Sequence, residues 1–428
     1  MKTSRYNVHI PYKGKIIVYN TLWNSFAMFN KDSLAVDILN HNETKSLSSN
    51  IIHTLLEKKI LVEDSLNEWE YICKTFKNTA YDNETIGIFV LPTLGCNFRC
   101  WYCYENHDAD KGRMSDKDIS NIIKFIDKSF WTNENFKKVN LRFFGGEPFL
   151  YYNEVVEPLL KEMSALSAKK GIEYYSSATS NASLLSKERI SFLAKHNMNF
   201  MQITLDGNRE RHNRIRFSSP GENSYDVIVQ NIKDLLQANI RVSLRFNISE
   251  HTHLNVGEML DGFSDVTKRN LLNFSIHKVW QANSSVNEII SQIVEEIRKR
   301  GYQCSSYYSS PSSIRNICYA DKSNEIVVKP GGKIYKCTAR DFSDTQSEGI
   351  LTNEGDIVWN QKHQERNALS ILENKSCMNC KIFPICAGGC KQKHLELKDR
   401  NSCVYHMTEE DKVKYALMVL SEKIEQSV

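Results

Sequence analysis

The sequence predicts an α/β fold built on a parallel sheet, and three observations carry that expectation. From Ile86 onward, short β-prone runs alternate with amphipathic helical stretches, the pattern of repeated β-then-α units joined by right-handed crossovers. The runs are IGIFVL (86–91), NLRFFG (140–145), YYSSATS (174–180), NFMQITL (199–205), RVSLRFNI (241–248) and LNFSIHKV (272–279), with helical patterns at 118–130, 155–169, 187–196, 225–237 and 255–263 between them. Six units are too few to close an eight-stranded barrel, so residues 86–284 are expected to form a partial (β/α)6 TIM-like barrel, with ligands at the carboxyl ends of its strands.

The flanks read differently. Residues 1–85 begin with two strand-like runs, YNVHI and KIIVYN, joined by the PYKG turn, and continue with helical patterns near 31–39 and 49–58, which predicts a small α+β domain. Residues 285–310 hold a bridging helix, 288–301, and the start of the flexible joint SSYYSSPSS (305–313). Residues 311–428 have few long periodic segments but many Cys, Gly and short turns, as in a small domain held together by metal.

Composition limits the partners. The chain has 428 residues and a formal charge of +4, from 55 Lys+Arg against 51 Asp+Glu, too small to indicate nucleic acid or an anionic membrane. The amino terminus alternates polar and apolar residues without an apolar signal region, and no run approaches a membrane span, so a cytoplasmic protein is expected. Twelve cysteines in a reducing compartment point to metal or cluster ligation rather than disulfides.

The stretch CNFRCWYC places Cys96-x3-Cys100-x2-Cys103 on the loop that ends the first barrel strand. Three thiolates can hold three irons of a [4Fe–4S] cube and leave the fourth iron open. The alternative, zinc, calls for a fourth protein ligand; His107 is the nearest in sequence, beyond an acidic turn. With Tyr102 as its aromatic residue, this loop resembles the Cys-x3-Cys-x-aromatic-Cys signature of radical S-adenosylmethionine (SAM) enzymes. The resemblance implies that the open iron chelates the amino and carboxylate groups of SAM, and that reductive cleavage yields a 5′-deoxyadenosyl radical.

Other segments agree with it. Gly145-Gly146-Glu147-Pro148 resembles the family's GGEP motif, which implies a contact to the SAM amino group; glycines permit close backbone approach and a carboxylate complements an ammonium. TSNASLL (179–185) resembles TTNGTLL, which makes Ser180 and Asn181 candidates for ribose or carboxylate contacts, although Ala182 stands where the family has glycine. ITLDG (203–207), followed by His212 and Arg216, resembles the SLDG…HDxxR pattern, so Thr204 and Arg216 are further candidates; the plain alternative for Asp206 and Arg216 is a strand-end turn with a surface arginine.

The remaining cysteines run Cys318-x13-Gly332-x4-Cys337, then Cys377-x2-Cys380-x5-Cys386-x3-Cys390, then Cys403. This spacing resembles the SPASM extension of radical SAM peptide-modifying enzymes, which carries two auxiliary [4Fe–4S] clusters, three with the SAM-binding one. The family's ligation implies that Cys377, Cys380, Cys386 and Cys403 hold the distal cluster and Cys318, Cys337 and Cys390 the nearer one. The nearer cluster then has an open iron, unless Cys304 closes it. Zinc is the alternative for the CxxC…CxxxC run. Cys73 fits no pattern and is expected to be a small buried hydrophobe. His251 and His253 read as a polar loop.

SPASM enzymes include sulfatase maturases and maturases of ribosomally made peptides. In the former an Asp follows the G-x4-C cysteine, whereas here Cys337 is followed by Thr338, with Asp341 the next carboxylate. The segment before Cys96 resembles the winged-helix-like leader-recognition element of peptide maturases, which binds a precursor peptide as an added strand. A structural cap on the open barrel is the alternative. The expected function is a maturase that installs a thioether or carbon–carbon crosslink in a leader-bearing precursor peptide. Its electrons would come from an external low-potential donor of flavodoxin or ferredoxin type. A formylglycine-generating sulfatase maturase and a non-catalytic metal-binding module are the alternatives. No catalytic acid or base is legible.

Overall fold

The computed structural model describes residues 1–41, 47–81, 84–103, 112–219, 221–249, 256–279, 286–306 and 313–426. His107, the His251/His253 pair and most of the 305–313 joint lie outside the described residues. The chain forms two compact units: Met1–Asp82, Tyr308–Ser323 and Glu365–Val428 make the first, and Asn83–Tyr307 with Asn324–Gln364 the second.

In the first unit β1 (Lys2–Thr3) is followed by a three-stranded antiparallel sheet of β2 (Asn7–Tyr12), β3 (Lys15–Asn20) and β4 (Ser25–Asn30), in the order β2-β3-β4. Lys13 and Gly14 both take positive φ, 45° and 77°, the two-residue turn geometry that matches strand twist. Helices α1 (Leu34–His41) and α2 (Ser49–Glu57) follow, then β5 (Leu61–Val62), which pairs with β1, and α3 (Glu68–Ala80). Side chains along β3 alternate between two cores. Ile17 and Tyr19 pack with Val8, Ile10 and, on the terminal helix Glu409–Gln426, with Ala416, Val419 and Leu420. Val18 packs the other way, with Leu39, Leu55, Ile60 and Leu61. Both faces of the sheet are therefore covered, and β4 remains an edge strand within it.

This unit joins segments that chain order assigns to separate domains. Each segment alone is short for a self-sufficient core, and their apolar faces complete one another. Neither β4 nor α3 is marked by the periodicity read from the sequence, and Cys73, on α3, is part-exposed rather than buried.

The second unit is built on an eleven-stranded sheet. Strands β6 (Thr85–Val90), β7 (Lys138–Phe143), β8 (Glu173–Ser180), β9 (Met198–Thr204), β10 (Arg241–Ile248), β11 (Leu272–Lys278) and β12 (Gln303–Ser306) lie side by side in sequence order, all parallel. On the other flank of β6 lies β13 (Glu325–Val328), also parallel. The antiparallel strands β14 (Lys333–Tyr335), β15 (Gly349–Leu351) and β16 (Ile357–Trp359) continue from it. All six expected barrel strands are present. The additions β12 and β13 are four residues each, too short to register as a period. The crossovers carry α4 (Asp116–Thr132), α5 (Glu157–Lys170), α6 (Lys187–Lys195), α7 (Arg209–Ile215), α8 (Ser224–Gln237), α9 (Val256–Asp261) and α10 (Asn287–Lys299).

Alternation along the strands decides what the barrel can hold. Val242, Leu244, Phe246 and Ile248 of β10, like Leu272, Phe274 and Ile276 of β11, are buried in the apolar core. The intervening Arg245 and Asn247, together with Gln202 and Thr204 of β9, line a cavity instead. Barrel lumens are usually packed with branched apolar side chains; this one is polar at its carboxyl end, where a polar ligand can be accommodated. No helix among the described residues is long and apolar enough to cross a membrane.

Candidate functional site

The loop that follows β6 is fixed before its first cysteine. Thr93 Oγ1 accepts the Gly95 amide at 3.0 Å and donates to the Gly112 carbonyl at 2.7 Å. Beyond it, Cys96, Cys100 and Cys103 line one cavity of about 310 Å³. Burial, reinforced by Glu147, pushes the Cys96 thiol up to about 12, and burial also raises that of Cys100. A thiolate is therefore costly here without a compensating cation.

The Cys96 sulfur accepts the amide of Phe98, two residues on, at 3.3 Å. The same i+2 amide reaches Cys337 from Ala339 at 3.3 Å, and amides of Ile382 and Gly388 act on Cys380 and Cys386. Amide donors to sulfur are a feature of iron–sulfur ligation. Among the described residues no three His, Cys, Asp or Glu side chains converge on a point where a single ion would sit.

The loop after β7 forms the adjoining wall. Gly145 (φ 109°) and Gly146 line the cavity, and the reason for glycine is the neighbouring backbone: a Cβ would lie 2.4 Å from the Thr93 oxygen at Gly145, and 2.2 Å from the Gly95 oxygen at Gly146. The Glu147 amide donates to Gly95 O at 2.9 Å, clamping the two loops together. Glu147 itself is fully buried. Its carboxylate accepts from Ser180 Oγ (2.8 Å), the Asn181 amide (2.8 Å) and the Phe149 amide (3.1 Å). Burial raises its pKa, against those hydrogen bonds. Here the carboxylate orients Ser180 and Asn181, which line the cavity while Glu147 lies behind them.

Ala182 takes φ 62°, the left-handed conformation that the family's glycine would suit. Asn231 Nδ2 holds that turn through the carbonyls of Ala182 (2.8 Å) and Leu185 (3.2 Å). The missing glycine therefore does not alter the backbone.

Tyr102 gathers a buried network. Its hydroxyl donates to Asp206 and accepts from Arg216 Nη1 at 2.7 Å and Asn247 Nδ2 at 3.1 Å. Arg216 lies 3.8 Å from Asp206 and over the Phe98 ring. The surface-arginine alternative is thereby excluded, since Arg216 is 8% exposed and Asp206 fully buried. His212 Nδ1 accepts the Asp206 amide at 3.2 Å, and burial, with Arg216 nearby, holds its pKa well below the ordinary histidine range. Thr204 lines the cavity from β9.

The sequence reading did not single out Gln202, Arg245, Asn247 and Lys278, which also line the cavity. The signal was available as polar side chains at alternate positions in otherwise apolar strands. Thr338 and Ala339 complete the wall, whereas Asp341 is exposed and accepts from Ser343 Oγ at 2.8 Å.

In the first unit, Cys377, Cys380, Cys386 and Cys403 stand within electrostatic reach of one another, and burial raises Cys377 and Cys386 to about 12. Ala387, Gly388 and Gly389 all take positive φ, turning the chain tightly after Cys386. Cys318 and Cys390 belong to this unit and Cys337 to the other; all three are part-exposed. Cys304 lies in β12, paired with Phe274 and packed on the barrel core.

Residues 90–261 match the Radical SAM superfamily. The chain thus carries a radical SAM domain over those residues, a domain that uses a [4Fe–4S] cluster and SAM. Among its relatives is the radical SAM cyclopropyl synthase TigE of Paramaledivibacter caminithermalis, 23% identical over 92% of this chain and 89% of that protein. Another is the cysteine-type anaerobic sulfatase-maturating enzyme of Clostridium perfringens, 22% identical over 72% of this chain and 89% of its own. Streptococcus suis SuiB bound to S-adenosylmethionine shares the fold (TM-score 0.55, 16% identity, 95% of this chain and 100% of that one). SuiB has also been solved bound to precursor peptide SuiA (TM-score 0.54, 14% identity, 95% and 100% covered).

Proposed function

We propose that this enzyme is a SPASM-type maturase that acts on a ribosomally made precursor peptide and installs a thioether or carbon–carbon crosslink. The observation that carries this reading is the composition of one cavity. Cys96, Cys100 and Cys103 face it together with Ser180, Asn181 and Thr338, and no carboxylate is among the described residues lining it. The structure of SuiB bound to a precursor peptide supports the same substrate class.

When bound, a [4Fe–4S] cube and SAM supply reductive cleavage of the sulfonium to a 5′-deoxyadenosyl radical, which takes hydrogen from the peptide. Cys96, Cys100 and Cys103 would hold the cube. Gly145, Gly146, Ser180, Asn181 and Thr204 would surround SAM, with Glu147 fixing the orientation of Ser180 and Asn181. Tyr102, Asp206, Asn247 and Arg216 keep the cavity's cationic corner rigid and dry. Cys377, Cys380, Cys386 and Cys403 would hold a distal auxiliary cluster, and Cys318, Cys337 and Cys390 a nearer one, three clusters in all. Cys304 is assigned to barrel packing. A flavodoxin- or ferredoxin-type protein would deliver the electrons. The proposed compartment is a reducing cytoplasm, where thiols meant for clusters stay reduced.

The formylglycine alternative needs a carboxylate after Cys337, where Thr338 stands. Thr338→Ala should leave 5′-deoxyadenosine formation and peptide modification within about threefold of wild type, as expected for a wall residue. A loss beyond about 100-fold would mark position 338 as an acid–base participant and favour that alternative.

For leader capture the candidate surface is the edge of β4, where Met28 is 45% exposed. Met28→Asp should weaken binding of the precursor peptide by about tenfold, measured by fluorescence anisotropy, while SAM cleavage without peptide stays at its basal rate. Unchanged affinity would favour the structural-cap alternative. The reaction itself is tested by anaerobic reconstitution with the product of a short Cys-rich open reading frame, should one lie beside this gene. Mass loss of two hydrogens, coupled to 5′-deoxyadenosine, is the expected result.

A further inference from the structure

The loop from Cys377 to Cys386 is held by residues that flank β2 and β3 and by the core beneath those strands. Arg5 Nη2 donates to the Met378 carbonyl at 2.5 Å, and Thr21 Oγ1 to the Lys381 carbonyl at 2.6 Å. The Ile314 amide reaches the Pro384 carbonyl at 3.1 Å, and Tyr415 on the terminal helix reaches that of Ile385 at 3.2 Å. Apolar packing follows the same lines. Tyr6, Leu22 and Ile72 share a core with Cys377 and Phe383, and Trp69 and Phe76 of α3 lie 5.5 and 6.4 Å from the Phe383 ring. Cys380 and Cys386 pack against the core that contains Val8, Ile10, Ile17 and Tyr19.

We infer that the Cys377–Cys386 loop, once its cluster is in place, is the structural staple of the β2-β3-β4 sheet. Loading of the distal site then decides whether the β4 edge is formed for a peptide to dock on. This rests on the cluster and edge-docking readings proposed above. The physical reason is that a small sheet with thin cores gains much of its stability from whatever orders a segment packed into one of them. Ligand binding that occurs only in the folded state adds directly to folding stability.

Hydrogen exchange of the full-length, anaerobically purified protein tests it, with iron counted on the same samples. In Cys377→Ala/Cys386→Ala, iron should fall by about four per chain, and amides of residues 7–30 should exchange at least about 100-fold faster. Those of β6–β11 should not change. Cys100→Ala should also lose about four irons yet keep residues 7–30 protected. Unchanged protection of residues 7–30 in the double variant, with its iron lost, overturns the inference. Equal loss of protection in both units overturns it too, because the effect would not be particular to the sheet. Undiminished iron in the double variant would instead refute the distal-cluster reading, and the inference with it.

Discussion

Cys100→Ala is expected to leave 5′-deoxyadenosine at background, at least about 10³-fold below wild type, because removing one member of a unit that acts together costs nearly as much as removing all of it. The substitution is mild for the fold. Cys100 is part-exposed on a loop, and losing its sulfur should cost roughly 1 kcal/mol of stability. Its effect on the site is not mild. Cys96, Cys100 and Cys103 face the same cavity with Arg216 beside them, and two sulfurs cannot hold a cube while leaving one iron for SAM. Iron per chain should drop by about four, with the cluster's absorption and its reduced-state paramagnetic signal diminished in proportion. Cys73→Ala, on part-exposed α3, should change neither quantity by more than about a fifth. Cleavage by Cys100→Ala at the wild-type rate would remove the assignment of the SAM-binding cluster to this loop.

The barrel was legible because its strands and helices each run long enough to show a period. The strand expected at 272–279 is Leu272–Lys278, and the helix expected at 225–237 is Ser224–Gln237. The cysteine loop was legible from spacing alone. What the sequence could not convey is assembly across distance. Arg5 and Met378 are 373 residues apart, and no local pattern announces their hydrogen bond. The expected division at residues 85 and 311 therefore follows chain order, whereas the compact units follow complementary apolar faces. A truncation at residue 80, the natural test of a separate amino-terminal domain, would strip Tyr6, Leu22 and Ile72 from the core around Cys377 and confound leader binding with disruption of the Cys377–Cys386 loop. The edge variant Met28→Asp avoids that confusion.

Within the site, residue types were easier to read than partners. Glu147 suggests a salt bridge to an ammonium when only the motif is visible. Its burial and its bonds to Ser180 and Asn181 are what the structure adds to the motif. Ala182 looks like a departure from the family pattern, yet its backbone takes the glycine-like φ of 62° under the hold of Asn231, a residue 49 positions away. Side-chain identity at one position did not decide the conformation there; the hydrogen bonds from a neighbouring helix did.

Gly146→Ala should separate geometry from ligation, and its expected effect is second only to loss of a cysteine. The added Cβ would lie 2.2 Å from the Gly95 oxygen and 2.5 Å from the Leu94 oxygen, both backbone atoms that no rotamer change can move aside. The loops after β6 and β7 must then part by about 1 Å, a displacement that can cost a catalytic site roughly 100-fold. The Glu147 amide loses its 2.9 Å bond to Gly95 O, so the segment leading into Cys96 and the carboxylate supporting Ser180 and Asn181 move apart. All three thiols remain, and iron should stay within about one atom per chain of wild type. SAM cleavage should fall about 100-fold, chiefly through a weaker grip on SAM that equilibrium dialysis would register. Normal iron with normal cleavage would show that the two loops need not touch, and the glycine pair would then be explained by chain packing alone.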